Sequence, residues 1–399
     1  MNPPSPLDVH ELLDHTISFL TPSASDLISC ALVARSWLDP AQSHLFRVPH
    51  DRTPRYNISH SVATSLCRTL SENPPLARHV REFRLCLPAH VDTPLPDLLR
   101  EIQFPNLQTL DIAYLRTTSA PLPESFAQLF TLKSLKQLKM YLNVPPSPSL
   151  MRAVESCSAT IQHLDLVCSQ GLGDVSTAEQ AIRIQLKSLR LEYRKQYGPH
   201  TIDAMKFLSP FGLSKLNALA VRGGDFVPWE LIETKNIRVL EISNVLSEKI
   251  PSIDLSQFPN LSVLRIGFLQ YVPPTIFETL ATIASSHRIH TIFVYFESHM
   301  ELARFEQDDE DDFSLCEELD QVLSSVPLDP LPSVEVEAEA DKETVQSSFP
   351  RLVAKHMAST CIVLLESTED TYYANQLRVI PFGGYKGQLS WWQNAIIQL

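Results

Sequence analysis

Apolar positions change period several times along the chain, and each change marks an element. Val9, Leu12, Leu13, Thr16, Ile17 and Leu20 follow the i, i+3, i+4, i+7 rhythm of one helical face and predict a helix over 7–20. Thr21-Pro22 stops it. Ser23, with Asp26 three residues on, has capping-box spacing and opens a second helix carrying Leu27, Cys30, Ala31 and Val33. Asp39 and Pro40 predict the cap and first position of a third short helix, where a proline loses no hydrogen bond. Leu45 and Phe46 end that unit. Val62, Leu66 and Leu70, about one turn apart, predict a linking helix over 59–71, ended by Asn73-Pro74-Pro75.

From residue 80 a repeat sets in: an apolar residue, two others, an apolar, one other, an apolar. The copies are VREFRL (80–85), LQTLDI (107–112), LKQLKM (135–140), IQHLDL (161–166) and LKSLRL (186–191), then LNALAV (216–221), IRVLEI (237–242), LSVLRI (261–266), IHTIFV (289–294) and LPSVEV (331–336). The middle apolar positions of the first nine step from 83 to 292 in eight intervals of about 26 residues, within the range of leucine-rich repeats. Phe104-Pro105-Asn106-Leu107 and Phe258-Pro259-Asn260-Leu261 introduce two nearly identical copies. Between copies the period turns helical, as in Leu150, Met151 and Val154, in Ile202, Met205, Phe207 and Leu208, and in Ile276, Phe277, Leu280, Ile283 and Ala284. Strand alternating with helix at this period predicts an α/β solenoid with a parallel inner sheet and outer helices.

Residues 306–312 (EQDDEDD) predict a loop before a helix carrying Leu315, Leu319, Val322 and Leu323, and 349–366 a last helix and strand. Residues 370–399 fit nothing before them and carry six aromatics, Trp391 and Trp392 among them. They are either a cap on the open end of the solenoid or a sequence artefact such as read-through.

Charge sharpens this outline. Of 46 acids and 33 bases, residues 301–343 hold 16 and 2, which leaves a body of 30 acids and 31 bases. A neutral body beside one acidic insert disfavours nucleic acid as a partner, because phosphate contacts need clustered cations. Seven cysteines at irregular spacing, with no Cys-x-x-Cys, argue against a disulfide framework or a zinc knuckle. The first residues lack a basic flank followed by an apolar run, and no apolar stretch approaches 18 residues, so an intracellular, reducing compartment is expected. The triplets Asn57-Ile-Ser59 and Asn260-Leu-Ser262 would go unglycosylated there. With 10 glycines in 399 residues there is little material for phosphate-cradling loops, and no nucleophile-elbow, P-loop, dinucleotide or zincin motif occurs. The expectation is a chain without catalytic residues, metal or cofactor. His287 and His290 flank a strand start rather than share a helix face, Glu366, Glu369 and Asp370 fall in a tail-like stretch, and Cys157 and Cys168 sit at core positions.

The N-terminal unit carries the most specific signal. Leu12-Leu13-Asp14-His15-x-Ile17-x-x-Leu20, then Leu27-Ile28-Ser29-Cys30-Ala31-Leu32-Val33-Ala34-Arg35-Ser36-Trp37, then Leu45-Phe46, closely resemble an F-box over residues 5–48. The Leu-Pro usual near the start of that motif is replaced by Leu7-Asp8-Val9-His10. The whole layout is similar to the F-box proteins with degenerate leucine-rich repeats abundant in mushroom-forming fungi. Pro74-Pro75-Leu76-Ala77-x-x-Val80 and Leu319-Asp320-x-x-Leu323 echo that group. Only Asn143 supplies the asparagine that the strict repeat places three residues past the strand, so an irregular solenoid without an asparagine ladder is expected.

The resemblance implies a small three-helix F-box (5–48), a linker helix (49–79), a leucine-rich-repeat-like solenoid (80–366) with the acidic insert 301–343, and a C-terminal tail or cap (367–399). It implies a cytoplasmic or nuclear substrate-recognition subunit of an SCF-type ubiquitin ligase, monomeric within its complex. The F-box would dock on a Skp-family adaptor, and through it a cullin, by Leu12, Leu13, Ile17, Leu20, Leu27, Cys30, Val33 and Trp37. The alternative is a non-degradative interaction scaffold. Side chains switch faces along a strand, so residues alternating with the apolar triplets point away from the core. Arg84, Lys139, Tyr141, Arg190, Arg222, Arg265, Phe293 and Tyr295 are thereby the candidate target-binding set, alongside Asp111, His163, Asp165, Glu192 and Glu241.

Overall fold

The computed structural model describes residues 10–21, 23–47, 60–87, 95–114, 122–142, 147–168, 184–193, 208, 210–222, 232–243, 252–268, 274–285, 287–296, 312–328, 332–337 and 347–354. The expected helix around 202–207, most of the acidic run, the strand after 354 and residues 367–399 lie outside them, as does Asn143.

The chain opens with three helices: α1 (His10–Ser18), α2 (Ala24–Val33) and α3 (Arg35–Arg47). Ser23 is the N-cap of α2, its hydroxyl accepting the Asp26 N–H at 3.3 Å, as the capping-box spacing requires. The expected start of α3 at Asp39-Pro40 is corrected. That helix begins at Arg35 and carries Pro40 in its interior. An interior proline costs about 3 kcal/mol. Here Pro40 and Ala41 are both buried, so packing offsets that cost. Leu13, Ile17, Leu27, Cys30 and Ala41 form the core of this helical unit, with Leu20, Ala31, Trp37 and Leu45 partly buried against it.

Helix α4 (His60–Glu72) follows, then a 3₁₀ turn, Pro74–His79, where the two prolines block a longer helix. Asp39 of α3 meets Arg78 and His79 of that turn, and the Arg81 N–H donates to the Arg47 carbonyl at 3.0 Å. The end of the helical unit is thus tied to the start of the repeats.

The strands are β1 (Glu82–Leu87), β2 (Thr109–Tyr114), β3 (Gln137–Leu142), β4 (His163–Cys168), β6 (Ser188–Tyr193), β8 (Ala218–Arg222), β9 (Val239–Ser243), β10 (Val263–Phe268), β11 (Thr291–Phe296) and β12 (Ser333–Glu337). The two-residue β5 (Ile184–Gln185) and β7 (Phe211–Gly212) pair separately. Each long strand falls on one predicted copy. They form a ten-stranded parallel sheet whose order follows the chain. The residues divide into two compact units, 1–165 with 171–184 and 202–210, and 166–170 with 185–201 and 211–399.

One hydrogen-bond device recurs in both units. The carbonyl of the second motif residue accepts from the second and third N–H of the next copy. In the first unit the Arg81 carbonyl takes Gln108 and Thr109 at 2.8 and 2.9 Å, and Lys136 takes Gln162 and His163 at 2.8 and 3.1 Å. In the second, Asn217 takes Arg238 and Val239 at 2.8 and 3.1 Å, and Arg238 takes Ser262 and Val263 at 2.8 and 3.0 Å. The identical offset fixes the register. Phe83 therefore lies opposite Leu110, and Leu240 opposite Leu264. Among the described residues the apolar triplets are buried.

Side chains add rungs where the strict repeat does not place them. Asn106, Asn236 and Asn260, each just before its motif, donate Nδ2–H to the carbonyls of Arg78, Ser214 and Lys235 at 2.8, 2.7 and 2.7 Å. Thr160 does the same with its hydroxyl to Leu135 at 2.8 Å. The strict ladder positions past the strands, Asn143 among them, lie outside the described residues, and these partial rungs stand ahead of the strands instead.

Helices α5 (Leu95–Glu101), α6 (Glu124–Phe130) and α7 (Pro148–Glu155) connect β1 to β4 in chain order. Among the described residues, the 3₁₀ turns Thr234–Asn236 and Leu255–Gln257 precede β9 and β10. Then come α8 (Pro274–Ala281), α9 (Asp312–Ser325) and α10 (Pro350–Ala354). Asp320 of α9, fully buried, accepts the N–H groups of Arg351 and Leu352 at 2.9 Å each and caps α10 from a neighbouring helix.

Candidate functional site

Two surfaces match the residues singled out in the sequence. The first is the helical unit. Seven large apolar side chains are exposed among the described residues, and six of them, Leu12, Phe19, Ile28, Leu32, Val33 and Leu38, lie within residues 12–38. Ile28 and Leu32 are four apart on α2 and share a side of the helix, while Leu27 and Cys30 face the core. Phe19 follows the last turn of α1, and the His15 ring packs edge-on against it at 5.0 Å. Each such side chain would be more stable out of water.

This arrangement divides the expected docking residues. Leu12 and Val33 are exposed, and Leu20 and Trp37 are partly buried. Leu13, Ile17, Leu27 and Cys30 are corrected: they form the unit's own core and are closed to a partner. Phe19, Ile28, Leu32 and Leu38 were missed. The 3.6-residue period separates the faces of a helix, yet on α1 and α2 both faces hold apolar residues, so the pattern alone does not tell core from surface.

The second surface is the polar face of the strands. It was expected to be open, and over much of the sheet it is closed. Lys139, Tyr141, Arg190, Arg265 and Tyr295 are buried, together with Asp165 and Glu241, whereas Arg84, Arg222 and Phe293 keep partial exposure. The charges lie in rows across the ladders. In the first unit Arg84 stands opposite Asp111, and Asp111 opposite Lys139. Arg84 Nε reaches Glu82 at 2.8 Å and Asp111 at 3.7 Å, and Lys139 Nζ reaches Glu82 at 3.5 Å.

The second unit carries a denser cluster. Glu241 on β9 accepts Arg222 Nε–H at 2.8 Å and the Tyr295 hydroxyl at 3.3 Å. The Arg265 guanidinium lies 4.2 Å from the Tyr295 ring centre and that of Arg222 lies 5.6 Å away. Tyr295 crosses β10 at Gly267, where any Cβ would overlap its ring. Burial acts to raise the Glu241 pKa. Arg222, Arg265 and Arg190, with the Arg222 hydrogen bond, outweigh it and hold the carboxyl at about 2. Ala218, Ala220 and Val239 form a small buried apolar cluster on the same face, with Val263 against it. The three arginines serve an internal carboxylate, so the expectation that they form an open receptor surface is corrected for Arg190 and Arg265.

Of the remaining candidates, Glu366, Glu369 and Asp370 lie outside the described residues. His287 is buried, its Nδ1 accepting the Ala284 N–H at 2.9 Å and its Nε2 facing the Leu255 carbonyl at 2.8 Å. Burial pushes the Cys67 and Cys168 thiols up to about 12 and raises Cys157 as well, which leaves them un-ionised and inert. Among the described residues no group of His, Cys, Asp and Glu is arranged to hold a metal ion, and no helix is long and apolar enough to cross a membrane. Compared with known proteins, the chain matches no family model and no curated protein.

Proposed function

We propose that the chain is the substrate-recognition subunit of an SCF-type ubiquitin ligase, with the three-helix unit as its F-box. The observation that carries this reading is the concentration of exposed apolar side chains within residues 12–38, on a unit whose sequence resembles an F-box. A helical unit with a complete core of its own does not need those side chains for folding; an adaptor with an apolar groove does. The repeats then hold a target near the ubiquitin-charged conjugating enzyme, and the gain is effective concentration rather than bond chemistry within this chain. Of the strand-face residues, Arg84, Asp111, His163, Glu192, Arg222 and Phe293 retain partial exposure toward a target.

The chain co-expressed with a Skp-family adaptor should co-purify with it in a stable complex. Substitution of Leu32 and Phe19 by Asp should abolish recovery while leaving the fold intact. A chain that folds but never recruits the adaptor refutes the reading. A target that is captured through this complex yet does not accumulate on removal of the chain would instead favour the non-degradative scaffold.

A further inference from the structure

The cations of this chain are unevenly divided. Residues 1–132 contain 10 arginines and no lysine, while residues 133–399 contain 11 arginines and all 12 lysines, which accounts for the 33 bases. Among the described residues of the first stretch, Arg78 pairs with Asp39 and Arg84 with Glu82 and Asp111, while Arg100 meets Asp97 at 3.9 Å in an exposed pair one helical turn apart that a lysine would make equally well. Arg35, Arg47, Arg68, Arg81 and Arg100 are exposed, and a lysine would serve solvation equally well there. In contrast, Lys133, Lys136, Lys187, Lys215 and Lys235 are exposed, and each lies in a turn leading into a strand.

The difference between the two cations is chemical. A lysine ε-amine, once deprotonated, has a lone pair that attacks the thioester carbonyl of ubiquitin on a conjugating enzyme. The C–N bond of an isopeptide forms, the C–S bond breaks, and the thiol leaves with the proton the amine gives up. A guanidinium stays protonated and delocalised, and does not react in this way. We propose that the arginine-only N-terminal third lies within reach of ubiquitin transfer and is built without acceptor amines, so that self-modification is confined to lysines of the repeats from Lys133 onward. The inference rests on the ligase reading above, since the adaptor-docking side chains fall in this third of the chain.

The test uses the full chain assembled with adaptor, cullin, RING subunit, activating and conjugating enzymes and ubiquitin. The variant carries Arg47→Lys, Arg68→Lys and Arg100→Lys, three exposed positions outside the docking set, with charge retained. Mass spectrometry should find ubiquitin remnants at Lys133, Lys136 or later lysines in the native chain. The variant should gain remnants at positions 47, 68 and 100, with self-modification rising several-fold and an unchanged melting temperature. If the native lysines are modified and the introduced ones are not, the N-terminal third is out of reach and the proposal is overturned alone. If the chain neither joins the complex nor is modified, the ligase reading fails and takes the proposal with it.

Discussion

At the scale of single residues, Glu241 and Gly267 are both closely constrained by their neighbours in the second unit. Glu241 is a buried carboxylate among three arginines, and removing one partner of such a network leaves charge uncompensated at a cost of about 3–5 kcal/mol. Glu241→Ala should lower stability by that order in denaturant titration. Its pH dependence follows from the sign of the shift. The folded carboxyl is held at about 2, below the unfolded value, so its contribution is full above the unfolded pKa and is lost as pH falls through about 2. Wild-type stability should therefore drop across the acid range down to about pH 2, and Glu241→Gln should flatten that drop. Gly267→Ala puts a methyl into the Tyr295 ring and should cost about 1–3 kcal/mol. In a Tyr295→Ala background the same change should cost far less, and a double-mutant cycle measures the difference. Equal costs in both backgrounds would mean that the ring does not depend on that gap.

At the scale of elements, caps and interstrand hydrogen bonds hold the repeats in register above their buried apolar core. Asp320 supplies both oxygens to the first N–H groups of α10 from within a buried site. Asp320→Ala should cost about 1–3 kcal/mol and raise hydrogen exchange at Arg351 and Leu352 first. The strands were legible because the alternating apolar pair that ends each copy has to reach the core, and Leu240 and Leu264 do so identically. The helix boundaries were less legible. Pro40 has the signature of a helix start, yet burial of Pro40 and Ala41 draws it into a longer helix, an effect of packing that no local signal reports. The turns before β9 and β10 are too short for a helical period to register. The polar face was misread for a related reason: alternation tells which side chains leave one core, and not whether the other side is itself closed. Arg265, 1% exposed, looks the same in sequence as a solvated arginine.

At the scale of the whole molecule, the chain combines a small helical unit with an apolar exterior and a set of parallel repeats whose inner charges largely satisfy one another. Leu13 and Leu32 are both leucines in the helical unit, but Leu13 is 1% exposed and Leu32 is 83% exposed. Leu13→Ala should destabilise the unit by about 2–5 kcal/mol through loss of core packing. Leu32→Asp should leave the fold untouched and act on binding alone. The most direct measurement is calorimetric titration of a Skp-family adaptor into the full chain and into its Phe19→Asp, Leu32→Asp double variant, with melting temperatures recorded alongside. Each apolar anchor lost should cost about 1.5–3 kcal/mol of binding, so the double variant should bind at least about a hundredfold more weakly at an unchanged melting temperature. Equal affinity of the two chains, or no binding by the native one, would contradict the account.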